Sequence, residues 1–160
     1  MKPKRYLSAA LAMVVLLNAP SGAARAQGEP IATAQAPALT YADLVDLAEP
    51  AEAVIRVQIR KQAAVEPERS PGLRPGHVRL YVEATTLALL KGPRPVGESL
   101  RYLVDVPLTG SGKVPKLKKQ EVLLFTRASN ARPGEVALLL PDAQIAWSAE
   151  TEARLRPILS

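Results

Sequence analysis

The side chains able to do chemistry in this chain are few, and most of them are cationic. There is one histidine, His77, and no cysteine, which removes the common zinc constellations and most transition-metal sites. A carboxylate-only calcium site would need a D-x-D-x-D-G loop, and none occurs; no cofactor is expected. His77 follows Pro75-Gly76 at the start of an alternating run, the ordinary place of a solvent-facing rim residue. As a general base it would need a nucleophile, and none of Ser70, Ser99, Ser111, Ser129 and Ser148 sits in a G-x-S-x-G elbow. Gly110-Ser111-Gly112-Lys113 has the flavour of a phosphate cradle, but the required spacing fails at Pro107 and Val114 follows the lysine. A hairpin turn is the better account.

Lys113, Lys116, Lys118 and Lys119 place four ammonium groups within seven residues, with Pro115 keeping the backbone extended. Such a loop could meet phosphate or carboxylate groups on an envelope polymer or an anionic surface, with affinity that falls as salt rises. The same charges would also serve as gatekeepers beside the apolar run Val122 to Phe125, the commoner role of a solvated cation run. Tyr81 and Tyr102, each beside an arginine (Arg79, Arg101), are a candidate aromatic face for stacking sugars or bases, a thin one given six aromatic residues in all. Asp105 and Glu83 are the candidate carboxylate pair for a small hydrolase, although two acids on outward strand positions are usually plain surface.

The elements that must position these residues are mostly strands. Thr40 stands three residues before Asp43, the spacing of a capping box, and Tyr41, Leu44 and Leu47 share a helical face, which predicts a helix over 41–49, stopped by Pro50. The period then falls to two. Ile55, Val57 and Ile59 alternate with Arg56, Gln58 and Arg60, predicting a half-buried strand over 54–65. A Pro/Gly-rich connection over 66–76 leads to a second strand, 77–90, whose apolar parity slips between Ala84 and Leu87; an extra residue near Thr85 or Thr86 would restore it, which predicts a bulge. A third strand runs over 99–108. Glu121 to Thr126 and Glu135 to Leu140 read as two strands buried on both faces and joined across Pro133-Gly134. Ser148 caps a final helix carrying Leu155, Ile158 and Leu159.

Residues 1–26 have the form of a secretory signal peptide. Lys2, Lys4 and Arg5 precede an 11-residue apolar run from Leu7 to Leu17, and Ala24-Arg25-Ala26 supplies a small-x-small cleavage site before Gln27. The run is broken too early, by Asn18 and Pro20, for a spanning helix of about 20 residues, so no transmembrane anchor is expected after cleavage. The segment takes four of the 21 basic residues and none of the 15 acidic ones, so the formal charge falls from +6 to +2 without it. Nucleic acid is therefore not an expected partner. Residues 27–39, rich in Ala, Pro and Gln, read as a flexible leader, and 40–160 as a single domain. Without cysteine its stability must come from burial and hydrogen bonding alone.

Five strands, one of them bent, with helices only at the flanks, predict an all-β fold: a five-stranded, OB-like antiparallel barrel, with a β-sandwich as the alternative. The second strand ending in Leu89-Leu90-Lys91-Gly92, and the later Lys118-Lys119-Gln120-Glu121-Val122-Leu123-Leu124-Phe125, resemble an "LKG" turn and a "kGe-yLlF" strand opening. Both are found in exported bacterial domains of the OB-type barrel that also underlies netrin modules and tissue inhibitors of metalloproteinases. The resemblance covers about residues 41–125, with Gln120 where the later motif usually has glycine. It implies the fold and an exported location. Protease inhibition in that family depends on an N-terminal cysteine, and this chain has none. The expected function is an exported, non-catalytic binding or structural module of the bacterial envelope, partnered by an envelope protein or anionic polymer. A small hydrolase using Asp105 or Glu83 is the alternative, and an assembly domain pairing through the 121–140 hairpin a third reading.

Overall fold

The computed structural model describes residues 39–93, 96–128 and 132–160; the expected signal peptide and nearly all of the expected leader lie outside them. The first helix, α1 (Tyr41–Ala48), starts at the expected capping box: the Asp43 N–H donates to Thr40 Oγ1 at 3.2 Å and the Thr40 N–H to Asp43 Oδ2 at 2.7 Å. The Thr40 hydroxyl, which also donates to Asp43 Oδ2 at 2.7 Å, and then the Thr40 N–H hold the Asp43 carboxyl below the usual carboxylate range. Six strands follow: β1 (Ala53–Ala64), β2 (His77–Lys91), β3 (Ser99–Pro107), β4 (Glu121–Arg127), β5 (Ala137–Leu138) and β6 (Gln144–Ala146), then a second helix, α2 (Ala149–Leu159). Ser148 caps α2 as expected, accepting from the Thr151 N–H at 3.0 Å. No described helix is long and apolar enough to cross a membrane.

The strands pair antiparallel in one sheet, in the order β3-β2-β1-β4-β5, with β6 also paired to β4. The sheet is open. The strand ladders do not close it into the expected five-stranded barrel, and β3 and β5 are its two ends. One isolated parallel bridge, Arg101 to Glu135, links the segment before β5 to the free edge of β3.

Burial follows the alternation. Ile55, Val57 and Ile59 of β1 face Leu80, Val82 and Ala84 of β2 and Leu100, Tyr102 and Val104 of β3. On the opposite face of β1 and β4, Val54, Leu123 and Phe125 are also fully buried, and they belong to one core with Leu44 and Ala48 of α1 and Leu155 of α2. Strand β4 is thus buried on both sides, as its apolar run predicted. The 135–140 segment is not: it gives only the two residues of β5, and Leu140 is 51% exposed. It leaves the sheet at a turn closed by the Ala143 N–H and the Leu140 carbonyl, then returns as β6, for which the sequence carried no signal. Since β4 lies between β1 and the β5/β6 strand, the 121–140 hairpin presents no free edge on β4 for a partner.

The expected bulge forms later than its parity slip suggested. Arg56 pairs with Ala88 and Val57 with Thr86, so Leu87 is the extra residue, thrown out to 45% exposure; a second extra residue, Leu90, follows. Just beyond, Lys91-Gly92 ties α1 to the sheet. Lys91 Nζ donates to the Ala48 and Glu49 carbonyls at 2.9 and 3.1 Å, serving the unpaired carbonyls and partial negative charge at the end of α1. Gly92 has φ +120°, and a Cβ there would stand 2.6 Å from Ala53 Cβ and 2.9 Å from the Glu52 carbonyl oxygen. No other residue fits both the dihedral and the space. Gly92→Ala is therefore expected to lose about 2–3 kcal/mol of stability, read as a lower urea midpoint with an unchanged m value.

Candidate functional site

Strand β4 pairs with β1 only from Ala53 to Gln58, whereas β2 follows β1 to Ala64. Past Gln58, the side of β1 that β4 vacates is met by the lysine loop. The Ile59 N–H donates to the Gln120 carbonyl at 2.9 Å and the Lys119 N–H to the Ile59 carbonyl at 2.8 Å. Three residues on, the Gln62 side chain clamps the same loop with both ends of its amide. Nε2 donates to the Pro115 carbonyl at 2.8 Å, and Oε1 accepts from the Leu117 N–H at 2.6 Å. Leu117 is buried beneath.

Between these anchors the chain turns through Lys118 and Lys119, closed by the Gln120 N–H on the Leu117 carbonyl at 3.0 Å. Lys119 has φ +73° and is the only non-glycine residue of positive φ among those described. That left-handed conformation costs a side-chain-bearing residue about 1–2 kcal/mol. The position in this turn that calls for glycine is thus 119, one before Gln120, where the resemblance placed it.

Lys118 and Lys119 share a hollow of about 310 Å³ with Ile59, Arg60 and Lys61. Sequence reasoning missed Arg60 and Lys61 as site residues. The signal was available in part, since Arg60 and Lys61 break the polar/apolar alternation of β1. In the structure Arg60 is an extra residue between the pairs Ile59 to Ala84 and Lys61 to Glu83, which is how consecutive cations come to line one hollow. Lys61 also meets Glu83 at 3.3 Å, an exposed pair of small energetic weight. Lys113 and Lys116 are exposed elsewhere on the loop and do not line the hollow. The Gly110-Ser111-Gly112-Lys113 segment is a turn closed by Thr109: its carbonyl accepts from Gly112 N–H and its N–H donates to the Lys113 carbonyl.

The other candidates are dispersed. Tyr102 is 2% exposed, on the interior face, with its hydroxyl donating to Gln144 Oε1 at 2.7 Å and its pKa pushed up by burial. Tyr81 pairs with Leu103 on the opposite face, so the aromatic face is not formed. Tyr102 pairs with Val82, and that even-numbered face of β2 is the core.

Asp105 is 4% exposed and fully engaged by Arg79, whose Nε and Nη2 donate to its two oxygens at 2.7 and 2.8 Å. Glu83 lies four residues along β2 from Arg79, or roughly 13 Å at strand rise. Paired-carboxylate glycoside hydrolysis works at about 5–9.5 Å, so these two acids do not form such a pair. His77 Nδ1 lies 3.1 Å from the Pro75 carbonyl, and neither Ser70, bound to the Glu66 carbonyl, nor Ser111 or Ser148 reaches it. Ser129 lies outside the described residues.

A second charged cluster is architectural. Arg56 stacks over Trp147, 3.5 Å from the ring centroid, and donates to Glu121, while Trp147 Nε1 donates to Glu152 Oε2 at 2.7 Å. These contacts bind α2 to the outer face of β1 and β4. The Trp147 bond, with Arg156 and Arg56 nearby, holds the Glu152 carboxyl below its ordinary value. No protein-family model matches the chain, and no curated protein matches it.

Two outcomes follow from this geometry. Gln62→Ala removes both clamp bonds and is expected to cost about 1–2 kcal/mol, with faster amide exchange at Leu117 and Lys119 and unchanged exchange along the β1–β2 ladder. A carboxyl of lowered pKa stabilises the fold fully above its unfolded value, 4.5, and loses that contribution as the pH falls through the lower folded value. Thermal melts from pH 6 down to pH 3 should show an acid decline beginning near 4.5 that is shallower in Glu152→Gln.

Proposed function

We propose that this chain is an exported, non-catalytic binding module of the bacterial envelope, built on an OB-type barrel. In this reading it holds an anionic envelope partner on Arg60, Lys61, Lys118 and Lys119. The export reading rests on the order of charge, apolar run and small residues in 1–26. The barrel reading draws support from the strand order and from the parallel bridge between Arg101 and Glu135, which carries the order β3-β2-β1-β4-β5 round toward β3.

The observation that carries the functional reading is the pinned turn. A gatekeeper loop needs charge but no fixed geometry. Here two backbone bonds and the Gln62 clamp fix Lys118 and Lys119 beside Arg60 and Lys61, with a lysine at a left-handed position. Strain held in place at a cluster of like charges is what a preorganised anion site would show.

The test is retention of the chain lacking residues 1–26 on an anionic matrix under a salt gradient. The parent should elute late and progressively earlier with salt, Lys116→Glu/Lys118→Glu/Lys119→Glu should not be retained, and Lys113→Glu should lose little. Lys119→Gly separates strain from function: it relieves the left-handed cost less the flexibility of glycine, a net gain of about 0.5–1 kcal/mol, yet should elute earlier than the parent. Unchanged retention of the triple variant would remove the loop from the account.

A further inference from the structure

The free edge of β3 is met by the 134–141 segment at two places and missed between them. At Arg101 the N–H donates to the Gly134 carbonyl at 2.8 Å and the carbonyl accepts from the Val136 N–H at 2.9 Å; at Asp105 the N–H donates to the Pro141 carbonyl at 2.7 Å. At Leu103 no strand pairing forms across the seam. The cause is the excursion of the opposite wall. Leu139 turns its N–H back to Phe125, and the chain then detours through Leu140 before Ala143 rejoins β4. Residues two apart in a strand direct their backbone groups the same way, so the N–H and C=O of Leu103 aim into the gap, as do those of Arg101. By the same alternation, Leu138 presents its own from the other wall.

The gap is a hollow of about 270 Å³ whose apolar walls are Leu103, Leu138, Leu139 and Pro141. Leu103 is 48% exposed and Pro141, which lines the hollow with it, is exposed too; exposed apolar groups gathered at one place mark a surface that meets something. Its charged residues are Arg79, Asp105 and Arg127. Arg79 neutralises Asp105, and one Nη1 bond goes to the Pro71 carbonyl, so three of its five N–H donors are used. Arg127 is exposed, which leaves the hollow with surplus positive charge.

We propose that this seam is a second binding site, one that takes the C-terminal residue of a partner polypeptide. Its aliphatic side chain fills the apolar walls, its carboxylate meets Arg127, and its extended main chain pairs with Leu103. Volume, charge and backbone each narrow the occupant. The space is just below the roughly 300–1,000 Å³ of drug-sized ligand sites, enough for one residue. Surplus positive charge beside apolar walls calls for a carboxylate joined to an aliphatic group, and an unpaired strand edge calls for peptide.

The experiment is a titration of the chain lacking residues 1–26, labelled with ¹⁵N, with an acetylated pentapeptide ending in leucine, as free acid and as C-terminal amide, alongside 4-methylpentanoate. The free acid should shift the Leu103 and Leu138 amides saturably, and the amide form should bind at least tenfold more weakly. Arg127→Gln, with an unchanged melting temperature, should weaken the free acid by about tenfold. Equal binding of acid and amide, an unaffected Arg127→Gln variant, or no shift through millimolar peptide would overturn the proposal. So would 4-methylpentanoate binding as tightly as the peptide, since the ligand would then be a small acid. The basic loop is unchanged in all of these measurements, so this result is independent of the retention experiment.

Discussion

The first strand is longer than one of its neighbours, and much of the molecule follows from that mismatch. Every backbone N–H and carbonyl withdrawn from water needs a partner. Strand β2 supplies them along one side of β1 to Ala64, but β4 does so along the other only to Gln58. Beyond that point the Ile59 backbone finds its partners on the loop that leads into β4, through Lys119 and Gln120, and the Gln62 side chain in turn serves that loop's own Pro115 carbonyl and Leu117 N–H. Cations on that loop and cations on β1 are brought together because a strand edge has to be satisfied. The seam on the other side of the sheet has the same origin: the edge of β3 is met at Arg101 and Asp105 by a segment too irregular to pair at Leu103. Both proposed sites lie where strand pairing runs out.

Much of this was legible in the sequence. Period-two alternation located β1 to β4 to within a residue or two, and the capping box of Thr40 and Asp43 located α1, because those signals are local. What was not legible depends on partners distant in sequence. The parity slip in β2 announced a bulge, but its residue is chosen by the pairing of Arg56 and Val57 with Ala88 and Thr86. Glu135 to Leu140 has the composition of a buried strand, yet only Ala137 and Leu138 form a ladder with β4, with one further bond from the Leu139 N–H to Phe125, while Val136 bonds to β3 and Leu140 enters the detour. Tyr102 looked like half of an outward aromatic pair until its register with Val82 placed it inside. In the basic site, two of the four cations lining the hollow were visible as a run. The other two belong to a strand whose register only the fold determines.

The acids show why residue type alone misdirects a search for catalysis. Asp105 lines a hollow and is nearly inaccessible, the position a tuned carboxyl would occupy. Burying a carboxylate without a partner is costly, and the fold answers that cost with a two-point guanidinium contact from the adjacent strand. The pair then ties the end of β3 to β2 beside the seam. Glu83 is engaged differently, by an exposed lysine on β1, and the cross-strand register keeps the two acids apart.

Lys119 raises the opposite question, since it is a residue the local backbone disfavours. The clamp explains how the turn persists: two backbone bonds and two from Gln62, each worth about 0.5–1.5 kcal/mol net, outweigh a left-handed penalty of about 1–2 kcal/mol. It does not explain the lysine. Glycine would take the same dihedral without the penalty, make the same backbone bonds through its own N–H, and leave the clamp untouched. Apart from glycine's own flexibility, which offsets only part of the gain, only the side chain distinguishes the two, and it lines one hollow with Lys118, Arg60 and Lys61, where an added ammonium is repelled. A fourth positive charge held at a conformational cost among three others is unfavourable for the isolated fold on both counts, and its natural compensation is an anion that meets them together.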